Sequence, residues 1–168
     1  MLILLRALVW GSAFVAFVLV VLPAQVLDAS GLSRPGSLGP MQVTGAILAA
    51  AGVVPMMWSF LSFVFRGRGT PAPFDPPRLL VVDGPYRYVR NPMYLGAILS
   101  LLGAALYYGS PWLLAYVAAF VLWAHLFVVG YEEPRLRRTF GDDYAAYAGR
   151  VQRWLPRRPA GAGGDAAA

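Results

Sequence analysis

Apolar residues fall into four long blocks parted by short polar stretches, and the block lengths decide how they are read. Leu2–Leu22 holds one charge, Arg6, near its start, and Met41–Phe65 holds none. Pro92–Tyr108 and Pro111–Tyr131 follow, separated only by Gly109-Ser110. A helix rises about 1.5 Å per residue, so about 20 apolar residues cross a hydrocarbon core of roughly 30 Å. All four blocks are therefore expected to be transmembrane helices, the third near the lower limit of length. Lipid offers the backbone no other partner, which forces helix in so few segments. The two-residue link makes the last two spans a tight helical hairpin. Pro92 suits a first helical turn, Asn91 is placed to cap it, and Pro55 is expected to kink the second span. The first block is too long for a signal-peptide core and no Ala-x-Ala site follows it, so it is read as an uncleaved span whose Arg6 snorkels to the interface. The expected fold is all-α, a single membrane domain over residues 1–158 with a small-residue, disordered tail at 159–168.

Composition sharpens this reading. With 58% hydrophobic and 13% charged residues in 168, the chain has far less charge than a water-soluble domain and far too much apolar content for disorder. The absence of cysteine excludes disulfides, thiolate metal sites and a cysteine nucleophile, and a single histidine excludes a histidine-rich metal site. The net charge of +6 comes from arginine alone on the basic side, and in so apolar a chain anionic lipid is a better counter-charge than nucleic acid. Arg34 is the one arginine in the first loop. The other thirteen are Arg6, those of the second loop (Arg66, Arg68, Arg78, Arg87, Arg90) and those of the tail (Arg135, Arg137, Arg138, Arg150, Arg153, Arg157, Arg158). With four spans these share one side, so the positive-inside rule places both termini in the cytoplasm of a cell-membrane protein. Gly96, Ser100 and Gly103 on the third span, and Gly45 with Ala49 on the second, are spaced for close helix packing rather than for a ligand.

Polar side chains that could carry chemistry concentrate in two stretches flanking the last two spans. The first runs Arg78-Leu79-Leu80-Val81-Val82-Asp83-Gly84-Pro85-Tyr86-Arg87-Tyr88-Val89-Arg90-Asn91-Pro92-Met93-Tyr94, with a turn at Asp83-Gly84-Pro85. On composition alone it serves equally as an interfacial loop anchored by Tyr and Arg. The second opens with Glu132-Glu133-Pro134, two carboxylates at the end of a span, where they are expensive. Adjacent helical residues project about 100° apart, so the two cannot share a target in a regular helix. Pro134 lacks an N–H and clashes with the carbonyl of Gly130, so the helix is expected to loosen there and leave a receptor for a cation. The simpler alternative pairs Glu133 with Arg137 and Glu132 with Arg135. Phe140, Tyr144, Tyr147 and Val151 then recur at helical spacing. They describe an amphipathic helix on the bilayer surface with Arg150 and Arg153 towards headgroups, or else a lid over the hairpin. His125 lies seven residues before Glu132, on roughly the same face, where hydrogen-bonded packing is the favoured role. No Gly-x-Gly-x-x-Gly, P-loop or serine elbow is present.

Together the two stretches, Gly-Pro-Tyr-Arg-Tyr-x-Arg-Asn-Pro-Met-Tyr-x-Gly and Glu-Glu-x-x-Leu-x-x-x-Phe-Gly-x-x-Tyr-x-x-Tyr around a helical pair, resemble the isoprenylcysteine carboxyl methyltransferase and phospholipid methyltransferase family. The resemblance covers about Arg78 to Pro156. It implies methyl transfer from S-adenosylmethionine to a lipid or other hydrophobic small molecule. The cofactor would lie at the cytoplasmic end of the hairpin, under the C-terminal segment, with no metal and no nucleic acid involved. Carried over residue by residue, cofactor contacts fall on an approach strand Arg78-Leu79-Leu80-Val81 and on Tyr86, Arg90, Asn91, Pro92, Met93, Tyr94 and Glu132. The sulfonium and ammonium suit Glu132 and the tyrosine faces, and the carboxylate suits Arg90 or a backbone N–H at the start of the third span. Eukaryotic members usually read His where this chain has Asn91, which cannot titrate. Prenylcysteine methyltransferases place an arginine where this chain has Val128, the candidate substrate-side position, which disfavours a carboxylate-bearing acceptor. His125 and Glu133 are the candidates for a base, and no catalytic residue is otherwise assigned. An NADPH-dependent membrane reductase of sterol-reductase type and a non-catalytic scaffold are the competing readings.

Overall fold

A computed structural model describes residues 12, 13, 15–32, 35–62 and 79–156. The expectations for Arg6, Arg34, Arg66, Arg68, Arg78, Arg157, Arg158, the start of the first span and the 159–168 tail lie outside the described residues. Among the described residues the chain is helical and contains no strand. A π-helical turn, Phe17–Val21, leads into α1 (Leu22–Ala29). α2 (Pro40–Ser62) continues unbroken through Pro55. A 3-10 turn, Gly84–Arg87, precedes α3 (Pro92–Tyr108), and the left-handed Gly109 and Ser110 connect it to α4 (Pro111–Phe127). A second π-helical turn, Val128–Glu132, joins α4 to α5 (Glu133–Arg150). Pro40–Ser62 and the continuous Pro111–Arg150 are long and apolar enough to cross a membrane, while Phe17–Ala29 and Pro92–Tyr108 are shorter apolar helices.

At two of the expected span ends the helix itself runs on, for one cause. It continues past Leu22 to Ala29, and past Tyr131 to Arg150. Each proline lies two residues beyond a π turn, Pro23 after Val21 and Pro134 after Glu132. A proline inside a helix has no N–H for the carbonyl four residues back and its ring crowds that carbonyl. One wide turn absorbs the conflict: Leu22 N–H bonds to Phe17 O, Glu133 N–H bonds to Val128 O, and the helix goes on. The loosening expected at Pro134 is thus present, as a π turn rather than an end. The second helix is described as far as Ser62, and residues 63–65 lie outside the described residues.

The closest helix pair is α2 against α3, and small residues make it so. A Cβ placed on Gly45 would lie 2.5 Å from Tyr107 N, and on Gly52 2.5 Å from both Gly96 O and Ser100 N. Gly103 faces the Ala49 backbone in the same way. The two faces match in antiparallel order, Gly45-Ala49-Gly52 against Gly103-Ser100-Gly96, and the Ser100 hydroxyl donates to Ala49 O at 3.1 Å. Packing between helices in lipid depends on such close approach, because lipid tails are as apolar as leucine. The packing role expected for Gly45, Ala49, Gly96, Ser100 and Gly103 is what the structure shows, and Gly52 completes the set. α3 packs its other side on α4 through Ala97, Leu101, Val117 and Phe120, joined by Val18 and Leu19 of the first helix. Leu27, Ala105 and Leu113 form a second cluster near the Gly109 turn, and Ser110 caps α4 by accepting from Leu113 N–H at 3.2 Å.

Gly52→Ala is therefore expected to lower thermal stability in detergent by about 1–3 kcal/mol, because backbone lies where the methyl would go. Gly149→Ala, where a Cβ meets nothing within 4 Å, should leave the midpoint unchanged or slightly raised. Scanning fluorimetry on both variants checks this.

Candidate active site

The start of α3, the end of α4 and the segment after α5 meet at one place. Residues 79–83 approach it as irregular chain, so the expected approach strand is not a strand. Leu79 is exposed, Leu80 half-buried and Val81 buried. The 3-10 turn then buries Pro85 and Tyr86. Tyr86 engages the fully buried Ser59 of α2, and its carbonyl accepts the Tyr147 hydroxyl at 2.8 Å. Burial pushes the Tyr86 phenol above its ordinary value, and Tyr147 and Glu132 push the same way against the Ser59 hydrogen bond. It stays protonated.

Asn91 occupies the N-cap position of α3, yet its side chain does not cap the helix. Its amide instead donates to Arg153 O at 3.1 Å, and the Arg90 N–H donates to Gln152 O at 2.9 Å. The chain beyond α5 is thus laid across the start of α3. Pro92 is buried and Met93 half-buried in the first turn, and Tyr94 reaches across to α4, donating its hydroxyl to Glu132 Oε1 at 2.8 Å.

The two glutamates have separate targets, as their 100° offset requires. Glu133 is buried, with 7% exposure. Arg153 grips it in a fork, Nε to Oε1 at 2.6 Å and Nη2 to Oε2 at 2.9 Å, and Arg90 Nη1 adds a 3.2 Å ion pair. The i,i+4 pairing with Arg137 is therefore corrected. A carboxylate out of water needs direct, hydrogen-bonded cations, and Arg137 is exposed and acts only through the field. Burial alone would raise the Glu133 carboxyl, but Arg153, Arg90 and Arg137 hold it below the ordinary 4.5. Arg153 does not point to headgroups, and Glu133 is committed to ion pairs rather than free to act as a base.

Glu132 behaves oppositely. Its carboxylate takes the Tyr94 hydroxyl, and among the described residues no arginine lies in ion-pair distance. Arg135, expected as its partner, lies over Tyr131 and donates to that hydroxyl at 2.7 Å. Burial raises the Glu132 carboxyl above its ordinary value, Tyr94 opposes this and Glu133 adds to it. A partly desolvated carboxylate without a cation, walled by aromatic rings, is a receptor for one. Trp123 and Trp154 stand edge-on to Tyr94 at 6.5 and 6.4 Å.

The aromatic stripe of α5 packs on the segment that precedes α3. The helix breaks at Gly141 (φ 52°, ψ −124°), a conformation that only glycine takes without strain. Beyond the break Tyr144 and Tyr147 are buried, at 2% and 5% exposure, against protein. Arg90 donates to the Tyr144 hydroxyl at 3.3 Å, while its Nε is buried without a partner. Val128 opens the π turn almost fully buried, and His125 is exposed on α4 but accepts the Trp154 indole N–H at Nδ1, 3.1 Å away. Sequence reasoning missed the roles of Arg153 and Trp154. Partners twenty and twenty-nine residues away leave no periodic signal.

A model of the phospholipid methyltransferase family matches residues 40–143, which take in α2, α3, α4 and the Glu132-Glu133 pair. The chain belongs to that family. It is 35% identical over 116 residues to the protein-S-isoprenylcysteine O-methyltransferase of Schizosaccharomyces pombe, covering 68% of this chain and 46% of that enzyme. The chain thus spans about half the length of that relative. An uncharacterized protein of Haemophilus influenzae is 38% identical over 63 residues, which is 38% of this chain and all of that one. No solved structure matches.

Because the Glu133 carboxyl is held below its unfolded value, its contribution to stability is complete above about pH 4.5 and lost as pH falls through the lower, folded value. The wild-type segment 151–156 is expected to stay protected from hydrogen exchange at pH 5 and to open only under more acid conditions. Glu133→Gln should abolish that transition and cost about 3 kcal/mol, because it leaves two arginines uncompensated at a buried site.

Proposed function

We propose that this chain transfers a methyl group from S-adenosylmethionine to a lipid or other hydrophobic small molecule at the cytoplasmic face of a cell membrane. The observation that carries this reading is Glu132, a partly desolvated carboxylate with one hydroxyl donor and no cation among the described residues. In a family of methyltransferases, a cationic methyl donor is the ligand that such a group favours. When bound, that donor supplies an already activated leaving group at its sulfonium. The protein's share is then positioning and exclusion of water. Glu132 and Tyr94 would hold the cationic part and Tyr86 would wall it. Arg90 has a spare buried Nε for a carboxylate, although its Nη1 is engaged by Glu133 and Tyr144. Leu79, Leu80, Val81, Pro92 and Met93 would line the approach. Asn91 acts through its bond to the covering segment. The arginine distribution supports four spans with both termini cytoplasmic, within one domain over residues 1–158. The reductase and scaffold readings gain no support from the family match.

The acceptor is a separate question. The fission-yeast relative is named for an isoprenylcysteine acceptor. Here Val128 is a buried aliphatic residue and offers no charge to a substrate carboxylate. Val128 thus favours an amine, hydroxyl or thiol on an apolar body. With Glu133 in ion pairs and His125 Nδ1 accepting from Trp154, neither is placed as a base. An amine attacks through its neutral lone pair and releases its proton to water after the transfer, so it suits such a site best.

Glu132→Gln is expected to weaken S-adenosylhomocysteine binding in a detergent titration by about 1.5–3 kcal/mol, the worth of a charge-assisted contact. Unchanged affinity in a folded variant rejects the donor site at Glu132. In a second assay, labelled S-adenosylmethionine is offered with a lipid extract and with a farnesylcysteine analogue. Label is expected in the extract, and methyl ester on farnesylcysteine alone would reverse the acceptor assignment.

A further inference from the structure

His125 has no step in the proposed reaction, yet its exposed ring on α4 accepts a hydrogen bond from the covering segment. Its ring is exposed on α4, one residue past the fully buried Ala124. Trp154, four residues beyond Arg150 at the end of α5, is brought to it across twenty-nine positions of sequence. The indole N–H is donor only, so Nδ1 of His125 must be the acceptor. The imidazole is therefore neutral with its proton on Nε2. This bond, 3.1 Å long, fixes one placement of the indole ring. In that placement Trp154 lies tilted against His125, with centroids 6.1 Å apart, and edge-on to Tyr94 at 6.4 Å. Tyr94 in turn holds Glu132 at 2.8 Å. The neighbouring Arg153 fixes only the backbone approach, through Glu133 and Asn91. The orientation of the ring is left to His125.

We propose that His125 is a positioning residue for the Glu132–Tyr94 site, a neutral hydrogen-bond acceptor that latches Trp154 over Tyr94 and so keeps the covering segment closed on the site. It touches no reacting group itself. The effect on ligand binding rests on the methyl-donor reading of Glu132, whereas the latch does not, and the test separates the two.

The full chain is labelled with 5-fluorotryptophan in detergent, with the Trp154 resonance assigned by its absence in Trp154→Phe. His125→Phe keeps an aromatic ring and removes the acceptor, while His125→Asn restores an acceptor oxygen close to Nδ1. His125→Phe is expected to move and broaden the Trp154 resonance and to weaken S-adenosylhomocysteine binding roughly five- to tenfold, the effect of one neutral hydrogen bond. His125→Asn should return both to within about twofold of wild type, a rescue that simple loss of ring packing would not give. An unmoved Trp154 resonance in His125→Phe overturns the latch. A moved resonance with unchanged affinity, or failure of His125→Asn to rescue, overturns the positioning role. Wild-type protein that binds no S-adenosylhomocysteine rejects the donor reading instead, and the resonance alone then decides the latch.

Discussion

A carboxylate taken out of water at the end of α4 governs how the rest of the site is arranged. Glu133 cannot remain charged at 7% exposure without cations bonded directly to it. The two it takes come from opposite ends of the motif region, Arg90 just before α3 and Arg153 just after α5. Satisfying one buried charge therefore closes a loop in space. The 151–156 segment is drawn over the start of α3, where its carbonyls meet the Arg90 N–H and the Asn91 amide. With that segment in place Trp154 arrives beside Tyr94, and the aromatic wall around Glu132 is complete.

Adjacency then separates two roles. The π turn brings both glutamates to the same level, but the angle between neighbouring helical residues sends them to different partners. Glu133 is structural and saturated with cations, while Glu132 is left with a single phenol. That asymmetry is why one reads as a tie and the other as a ligand receptor. Both depend on rigid support below. α2 and α3 approach until backbone meets backbone at Gly45, Gly52, Gly96 and Gly103, which anchors the Tyr86 turn through Ser59 and fixes the base of α3.

The same device, a π turn two residues ahead of a proline, occurs at Phe17–Val21 and at Val128–Glu132. In both places it carries a helix past a residue that would otherwise end it. At the second it also sets the glutamates. A proline read from sequence marks a conflict in the hydrogen-bond ladder, but not whether the chain resolves it by stopping or by widening. That choice belongs to the helix's neighbours.

Much was legible in the residues themselves. Block length and the absence of charge determined helices over Pro40–Ser62, Pro92–Tyr108 and the stretch from Pro111, because lipid leaves the backbone no other partner. Small residues at close-packing spacing announced close helix packing on α2 and on α3, and the paired motifs announced the family. These are local or periodic signals, and periodicity is the kind of information a single chain carries. The tertiary structure alone decided the partners. Glu133 chose Arg153 over Arg137 because burial excludes a solvated cation, Asn91 left its cap for a carbonyl sixty-two residues away, and Trp154 found His125. Such pairings are decided by which charges and donors lose their water together, and that is a property of the folded chain in space rather than of spacing along it.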